Sequence, residues 1–282
     1  MARFLAIDWD HKQLHVVAAT VHRGAVKIQQ ARAWAVEHVP NPAQAEELGK
    51  LLRERLKEAG IAPAPVLACV GRDRVILRDI RYPAVPDAEE PAVVRFQAVK
   101  ELTDPPDEVV IDYTVTSSGP ERRALALIAR RELVEAYQAL CRAAGLRLAG
   151  LTPRPFGIAR CLQRLAGTSV LTPAPEPADA PVAVLAIGEH WAEFCVARGE
   201  SLLFARSMVV GPGLAGEVRR NLAVYAGQAP QLPLKAVYIA GGSEHAPFRE
   251  RLADLIGLPV YSFDPFAGVE RPELPLGVRG GF

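Results

Sequence analysis

Glu189, His190 and Glu193 lie within one short stretch, and such a carboxylate–imidazole grouping is of the type that serves as an acid/base pair. Adjacent residues of a strand face opposite sides, however, so these side chains are expected as exposed turn and strand polars. His11, His15 and His22 form a second grouping, one that invites a metal ion. Alternation along Gln13–Thr20 places some of them on different faces, and no carboxylate or cysteine completes a coordination set. Surface histidines and no metal are therefore expected. Ser201, Ser207 and Ser243 have no paired His and Asp at a nucleophile elbow, which sets a hydrolase aside. Cys69, Cys141, Cys161 and Cys195 are far apart, without a CxxC pair, and read as reduced structural thiols. Arg72, Arg74, Arg78 and Arg81 form a basic series in and around one apolar strand. Two readings of that series stay open: a solvated edge guarded against aggregation, and a docking groove for an extended peptide.

The composition narrows the classes of partner. In 282 residues, 33 Lys and Arg oppose 32 Asp and Glu, so a net charge of +1 supplies no basic field for nucleic acid. With 50% hydrophobic and 23% charged residues the chain has the balance of a folded protein, and its length supports a core without disulfides or metal. Its 24 prolines fall between and at the ends of apolar runs, where a missing N–H does least harm. No apolar run is long enough to cross a membrane, so work at a membrane would need another protein to hold the chain there.

The elements that must position these residues follow from periodicity. Arg3–Trp9, Gln13–Thr20 and Ala25–Ala33 read as a meander of three antiparallel strands. A helix over Ala43–Ala59 stops at Gly60, and Pro65–Val70 is a strand. Strands Val75–Ile80 and Val109–Val115 flank a helix from about Ala88 to Leu102, with Asp87 as its expected N-cap, in what reads as an inserted block. The strand Arg123–Ala129, the helix Arg131–Ala144, the strand Leu146–Leu151 and a helix near Pro155–Leu165 complete the first half. A Pro- and Ala-rich linker at 167–181 follows. The order then recurs: strands Val182–Ile187, Trp191–Ala197 and Leu202–Arg206, a helix Leu214–Ala226, a strand Lys235–Ala240, a helix His245–Ile256 and a strand Leu258–Phe263. Each half is βββαβαβ, which predicts a two-lobed α/β protein with mixed sheets and a ligand cleft between lobes.

Two lobes that each open on a meander resemble the actin-like ATPase superfamily. Phe4-Leu-Ala-Ile-Asp8 with Leu14-His-Val-Val is similar to its first phosphate loop, Ala183–Gly188 to its second, and Val237–Gly242 to its adenosine-side strand. Further strings resemble the type IV pilus assembly protein PilM family, an actin-like inner-membrane platform component: Val75–Pro83, Pro105-Pro106 before Val110–Tyr113, Ala126–Leu151, Leu203–Arg206, and Gly242 through to Phe266. The resemblance implies lobes at 1–166 and 182–282, with a small inserted subdomain at about 73–116. It implies ATP as the cofactor class, with Asp8, Asp10, Lys12, Gly188, Gly241 and Gly242 as the remnant nucleotide site. Two departures weaken that site. Asp10 stands where the first loop has a glycine, and its carboxylate would repel a phosphate. Ala186 stands where the second loop has the acid that holds Mg2+ through water. Nucleotide binding is thus expected to be weak or lost, and Mg2+ dependence doubtful.

The resemblance also implies a partner. In PilM-like proteins the cytoplasmic N-terminal tail of a single-span membrane protein, PilN, lies in a groove beside the inserted subdomain. The matching residues here are Arg72, Arg74, Ile76, Arg78, Ile80, Ile111 and Asp112. A scaffold of a type IV pilus or related type II secretion platform follows, cytoplasmic and peripheral to the inner membrane through that partner. An ATP-dependent kinase or ATPase of the same superfamily, and a polymerising FtsA-like division protein that self-associates head to tail, are the alternatives. The helical excursion usual before the second lobe's first helix is missing. The chain stops at Gly277–Phe282, where the family continues into a closing helix, which reads as a truncated or split gene product.

Overall fold

The computed structural model describes residues 2–100, 102–117, 121–166, 180–199, 201–240 and 245–272. The expected elements are present with ends displaced by a few residues, most of the antiparallel strands running longer than expected and the helices Ala45–Glu58, Glu90–Lys100, Arg131–Ala143 and Ala246–Ile256 shorter. Strands β1 (Ala2–Trp9), β2 (Gln13–His22) and β3 (Ala25–Ala35) form the first meander, and β4 (Val66–Val70) and β8 (Leu148–Pro153) extend it in the order β3-β2-β1-β4-β8. The pairings β1–β2 and β2–β3 are antiparallel and β1–β4 is parallel. A second sheet repeats this plan. It orders β11 (Ser201–Val209), β10 (Trp191–Arg198), β9 (Val182–Ile187), β12 (Val237–Ala240) and β13 (Val260–Phe263), with antiparallel pairs followed by parallel ones.

Contacts divide the chain into two compact units. The first contains residues 1–39, 63–72 and 149–282, hence most of both five-stranded sheets, and with them α4 (Arg154–Ala166), α5 (Leu214–Gln228) and α6 (Ala246–Ile256). Helix α4 packs on β4, β9, β10 and β11, and α5 and α6 pack beside β11 and β13. Strand β10, second in that sheet, is therefore covered on both faces. Ala192, Phe194 and Val196 join a core with Val218, Tyr225 and Leu252, in which the Phe204 ring meets those of Phe194 and Tyr225 edge to face at 6.1 Å.

The second unit, residues 40–62 and 73–148, contains α1 (Ala45–Glu58), α3 (Arg131–Ala143) and a small sheet ordered β5 (Val75–Pro83), β7 (Glu121–Arg130), β6 (Val109–Ser117). Leu48, Leu52 and Leu56 make one buried stripe on α1. Helix α1 crosses α3 so closely that a Cβ on Gly49 would lie 2.4 Å from the Leu140 carbonyl oxygen. Helix α2 (Glu90–Lys100) lies over Ile80, Tyr82, Ala124, Ala126 and Ile128 of the small sheet. It starts after Pro86 has accepted the N–H groups of Glu89 and Glu90, so Asp87 is not its cap and faces Arg122 at 3.4 Å instead.

Candidate functional site

The loop after β1 keeps Asp8 at the strand end and places Asp10 in the turn. The Asp10 N–H donates to the Gln13 carbonyl at 2.9 Å, and Asp10 Oδ1 accepts the N–H groups of Lys12 and Gln13, both at 2.7 Å. The expected obstacle was charge repulsion; the structure adds a second one. The backbone donors that would cradle a phosphate are already spent on the loop's own carboxylate.

The loop after β9 is shaped by Trp191, whose indole ring lies against Gly188, so that a Cβ there would come within 2.4 Å of it. Trp191 Nε1–H donates to Asp10 Oδ2 at 2.9 Å, and Gln13 Nε2–H donates to Glu189. The two loops are thus tied to each other by side chains. Beneath them lies Arg154, the first residue of α4, set between two prolines at a helix start that suits a residue without an N–H at the next position. Its Nε and Nη2 donate to Asp8 at 2.7 and 2.9 Å, its Nη1 donates to Glu193 Oε1 at 2.8 Å, and its guanidinium sits 3.8 Å over the Trp191 ring. The Arg72 N–H also donates to Glu193 Oε1, at 2.9 Å. An apolar cavity of about 320 Å3 lies alongside, lined by Ile7, Ile28, Ile158 and Phe266 as well as by Asp8 and Arg154.

Several expectations are corrected here. Glu193 is completely buried, because the face of β10 opposite the Phe194 core is itself covered by α4, so alternation does not bring it to solvent. Burial pushes its carboxyl up to about 7, opposed by Arg154 and the Arg72 N–H. Glu189 and His190 are exposed as expected. His15 is buried in β2 rather than on the surface, and burial lowers its pKa, while His11 and His22 are exposed. Among the described residues no group of three or more His, Cys, Asp or Glu is placed to hold a metal ion. The four cysteines are unbridged, and burial raises each of their pKa values, that of Cys69 to about 12. Asp8, Asp10, Lys12 and Gly188 come together on the two loops; Gly241, Gly242 and Ser243 lie outside the described residues. Arg154 and Trp191 are the site residues that sequence reasoning missed.

The residues matched to tail docking separate. Arg72 sits in the first unit, with its N–H on Glu193, whereas the others lie in the second. Ile76, Arg78 and Ile80 share one face of β5; Ile80 is sealed under α2, and Ile76 and Arg78 are exposed. Ile111 packs at the border of the same core, and Asp112 points to solvent, its Oδ1 accepting the Tyr113 N–H. Arg74 and Ile76 line a cavity of about 400 Å3 with Val109, Ile128 and Leu133 as apolar walls. Arg130, also on its rim, lies 3.8 Å from both Asp104 and Glu132.

Two five-stranded sheets of one plan, each contributing a strand–turn loop to a common site, define the class: the chain has the actin-like ATPase fold. A PilM–PilN type IV pilus biogenesis complex superposes with a TM-score of 0.79 at 20% identity, covering 95% of this chain and 90% of that one. The cytoplasmic domain of EpsL, an inner-membrane component of the Vibrio cholerae type II secretion system, gives 0.53 at 13% identity over 99% and 92%. A Bacteroides thetaiotaomicron protein with an actin-like ATPase fold and unknown function gives 0.53 at 8% identity over 93% and 91%. No protein-family model and no curated protein sequence matches the chain.

Proposed function

We propose that this protein is an actin-like scaffold of a type IV pilus or related type II secretion inner-membrane platform. Its second unit docks the cytoplasmic tail of a PilN-like membrane protein in the cavity beside Arg74 and Ile76. The observation that carries the reading is that cavity: a mainly polar trough lined by charges of both signs, with Ile76, Val109, Ile128 and Leu133 as its apolar wall residues, on the very block that resembles the tail-binding region of PilM-like chains. The likeness in fold to a PilM–PilN complex supports it. No helix among the described residues is long and apolar enough to cross a membrane, so tail capture is also the means by which this chain would be held at the inner membrane from the cytoplasmic side. Nucleotide binding is weak or lost, a reading supported by the spent donors of the first loop and by Ala186 at the position of the metal-side acid.

A synthetic tail peptide from a PilN-like protein encoded beside this gene tests the reading by fluorescence anisotropy. Ile76→Asp is expected to weaken binding at least tenfold, as loss of an apolar anchor does. Arg74→Glu and Arg78→Glu are expected to change mainly encounter rate and salt dependence. Unchanged affinity in Ile76→Asp, with the variant shown to be folded, would place the docking site elsewhere.

A further inference from the structure

The cluster beneath the two loops has an uneven count of charges. One guanidinium faces two carboxylates, and it serves them unequally. Both oxygens of Asp8 are taken, by Nε and Nη2 of Arg154. At Glu193 only Oε1 is served, by Arg154 Nη1 and the Arg72 N–H, while Oε2 is buried without a partner. An unpartnered, desolvated carboxylate oxygen is the natural place for the cluster to hold a proton, since protonation removes both the surplus charge and the cost of burying it.

We propose that Asp8, Arg154 and Glu193 form a proton-operated clasp, in which uptake of one proton from solvent at Glu193 Oε2 shifts Arg154 toward Asp8 and loosens its hold on β10. The proton comes from solvent, which reaches the cluster at Asp8 and Arg154, 13% and 10% exposed, and enters Glu193, itself at 0%, when the cluster opens briefly. Trp191 carries the signal outward, because its ring stacks on the guanidinium and its N–H holds Asp10, the residue that closes the first loop. The small ligand to which this site responds is then the proton. The inference does not depend on tail docking.

The groups facing Glu193 set the background. Asp8 comes from β1, Cys69 from β4, Arg72 from the turn after β4, Arg154 from α4, and Cys195 from its own strand. His15 on β2 faces Asp8, Asp10 and Arg154 and is the other group whose titration the experiment must separate.

The test is an NMR pH titration of the full chain between about pH 3 and pH 9, following the Trp191 indole N–H, assigned with Trp191→Phe, and the Glu193 side-chain carboxyl carbon. The expected result is that both titrate together with a midpoint of about 7, and that in Glu193→Gln the Trp191 N–H is flat. The glutamine keeps an oxygen for Arg154 and the Arg72 N–H, so its fold is expected to survive. A Trp191 response that persists in Glu193→Gln would assign the transition to another group such as His15 and overturn the proposal. Should that variant not fold, the wild-type carboxyl carbon decides alone, since a midpoint in the ordinary carboxylate range of about 4 to 5 overturns it equally.

Discussion

Replacing Arg154 by methionine removes the cation from between two carboxylates while keeping much of the side-chain volume. Three charge-assisted hydrogen bonds of 2.7, 2.8 and 2.9 Å disappear, and Glu193 is left with no solvent to turn to. Breaking a buried ion pair from one side costs about 3 to 5 kcal/mol, nearly all of it the uncompensated charge left behind. The lost stacking on Trp191 adds about 1 kcal/mol. Urea denaturation at about pH 8, where an ordinary carboxylate is ionised, should therefore show Arg154→Met less stable by about 4 to 6 kcal/mol. The same arithmetic requires that neutralising all three positions repair the damage. Asp8→Asn/Arg154→Met/Glu193→Gln should regain most of the loss, because no charge is then buried unpaired. A single variant within about 1 kcal/mol of the wild type would show that the cluster is solvated and the burial argument wrong. A triple variant as unstable as the single one would trace the loss to packing around α4 rather than to charge.

Other expectations follow from the same geometry. Asp10→Gly frees the Lys12 and Gln13 N–H groups and removes a negative charge; calorimetry should show Mg·ATP binding tightened by about 1 kcal/mol, and an unchanged titration would mean that Asp10 is not what keeps phosphate out. Gly188→Ala pushes a methyl into the Trp191 ring, and should lower stability by about 1 to 3 kcal/mol together with a shifted Trp191 N–H resonance. A similar loss is expected for Gly49→Ala, where the obstacle is the Leu140 carbonyl of α3, and a wild-type melting curve would contradict the close crossing of α1 and α3. Because burial raises the Glu193 carboxyl to about 7, the folded state binds the extra proton, so this group's contribution to stability is complete below its unfolded pKa and declines as pH rises toward 7. The decline, about 3 kcal/mol by linkage, should be absent from chemical melts of Glu193→Gln.

Many of the strands and helices were legible from their periodicity and from Gly or Pro at their ends; Gly60, Gly145 and Gly257, all at positive φ, end three of the six α-helices among the described residues where the sequence places them. Asp87 misled because an Asp ahead of an apolar run looks like a cap, whereas the turn at Pro86 and the pull of Arg122 decide its place. Glu193 misled for a different reason. Alternation predicts which side of a strand a residue faces, but not whether that side is wet, and α4 makes both sides of β10 dry. Arg154 had no local signal at all. It is separated from Asp8 by 146 positions and from Glu193 by 39, and only tertiary structure makes a lone arginine between two prolines the centre of a site. In the second unit the reach of α2 decided what the sequence left open, sealing Ile80 and leaving Ile76 exposed on the same face of β5.

The interleaving of the two units along the chain has a consequence for synthesis. The first meander leaves the ribosome early, yet β4 reaches it only after α1, and β8 only after the entire small sheet and α3 have been made. Arg154 follows directly on β8, and Glu193 and Trp191 come later still. The first unit must therefore wait, with a sheet edge unpaired, while the second unit, complete by residue 148, is free to fold around its own core. Nascent chains exposed only as far as residue 148 should present a folded second unit and an open β4 edge. That edge is the natural substrate for a chaperone, and closing the Arg154 cluster is the step that ends the need for one.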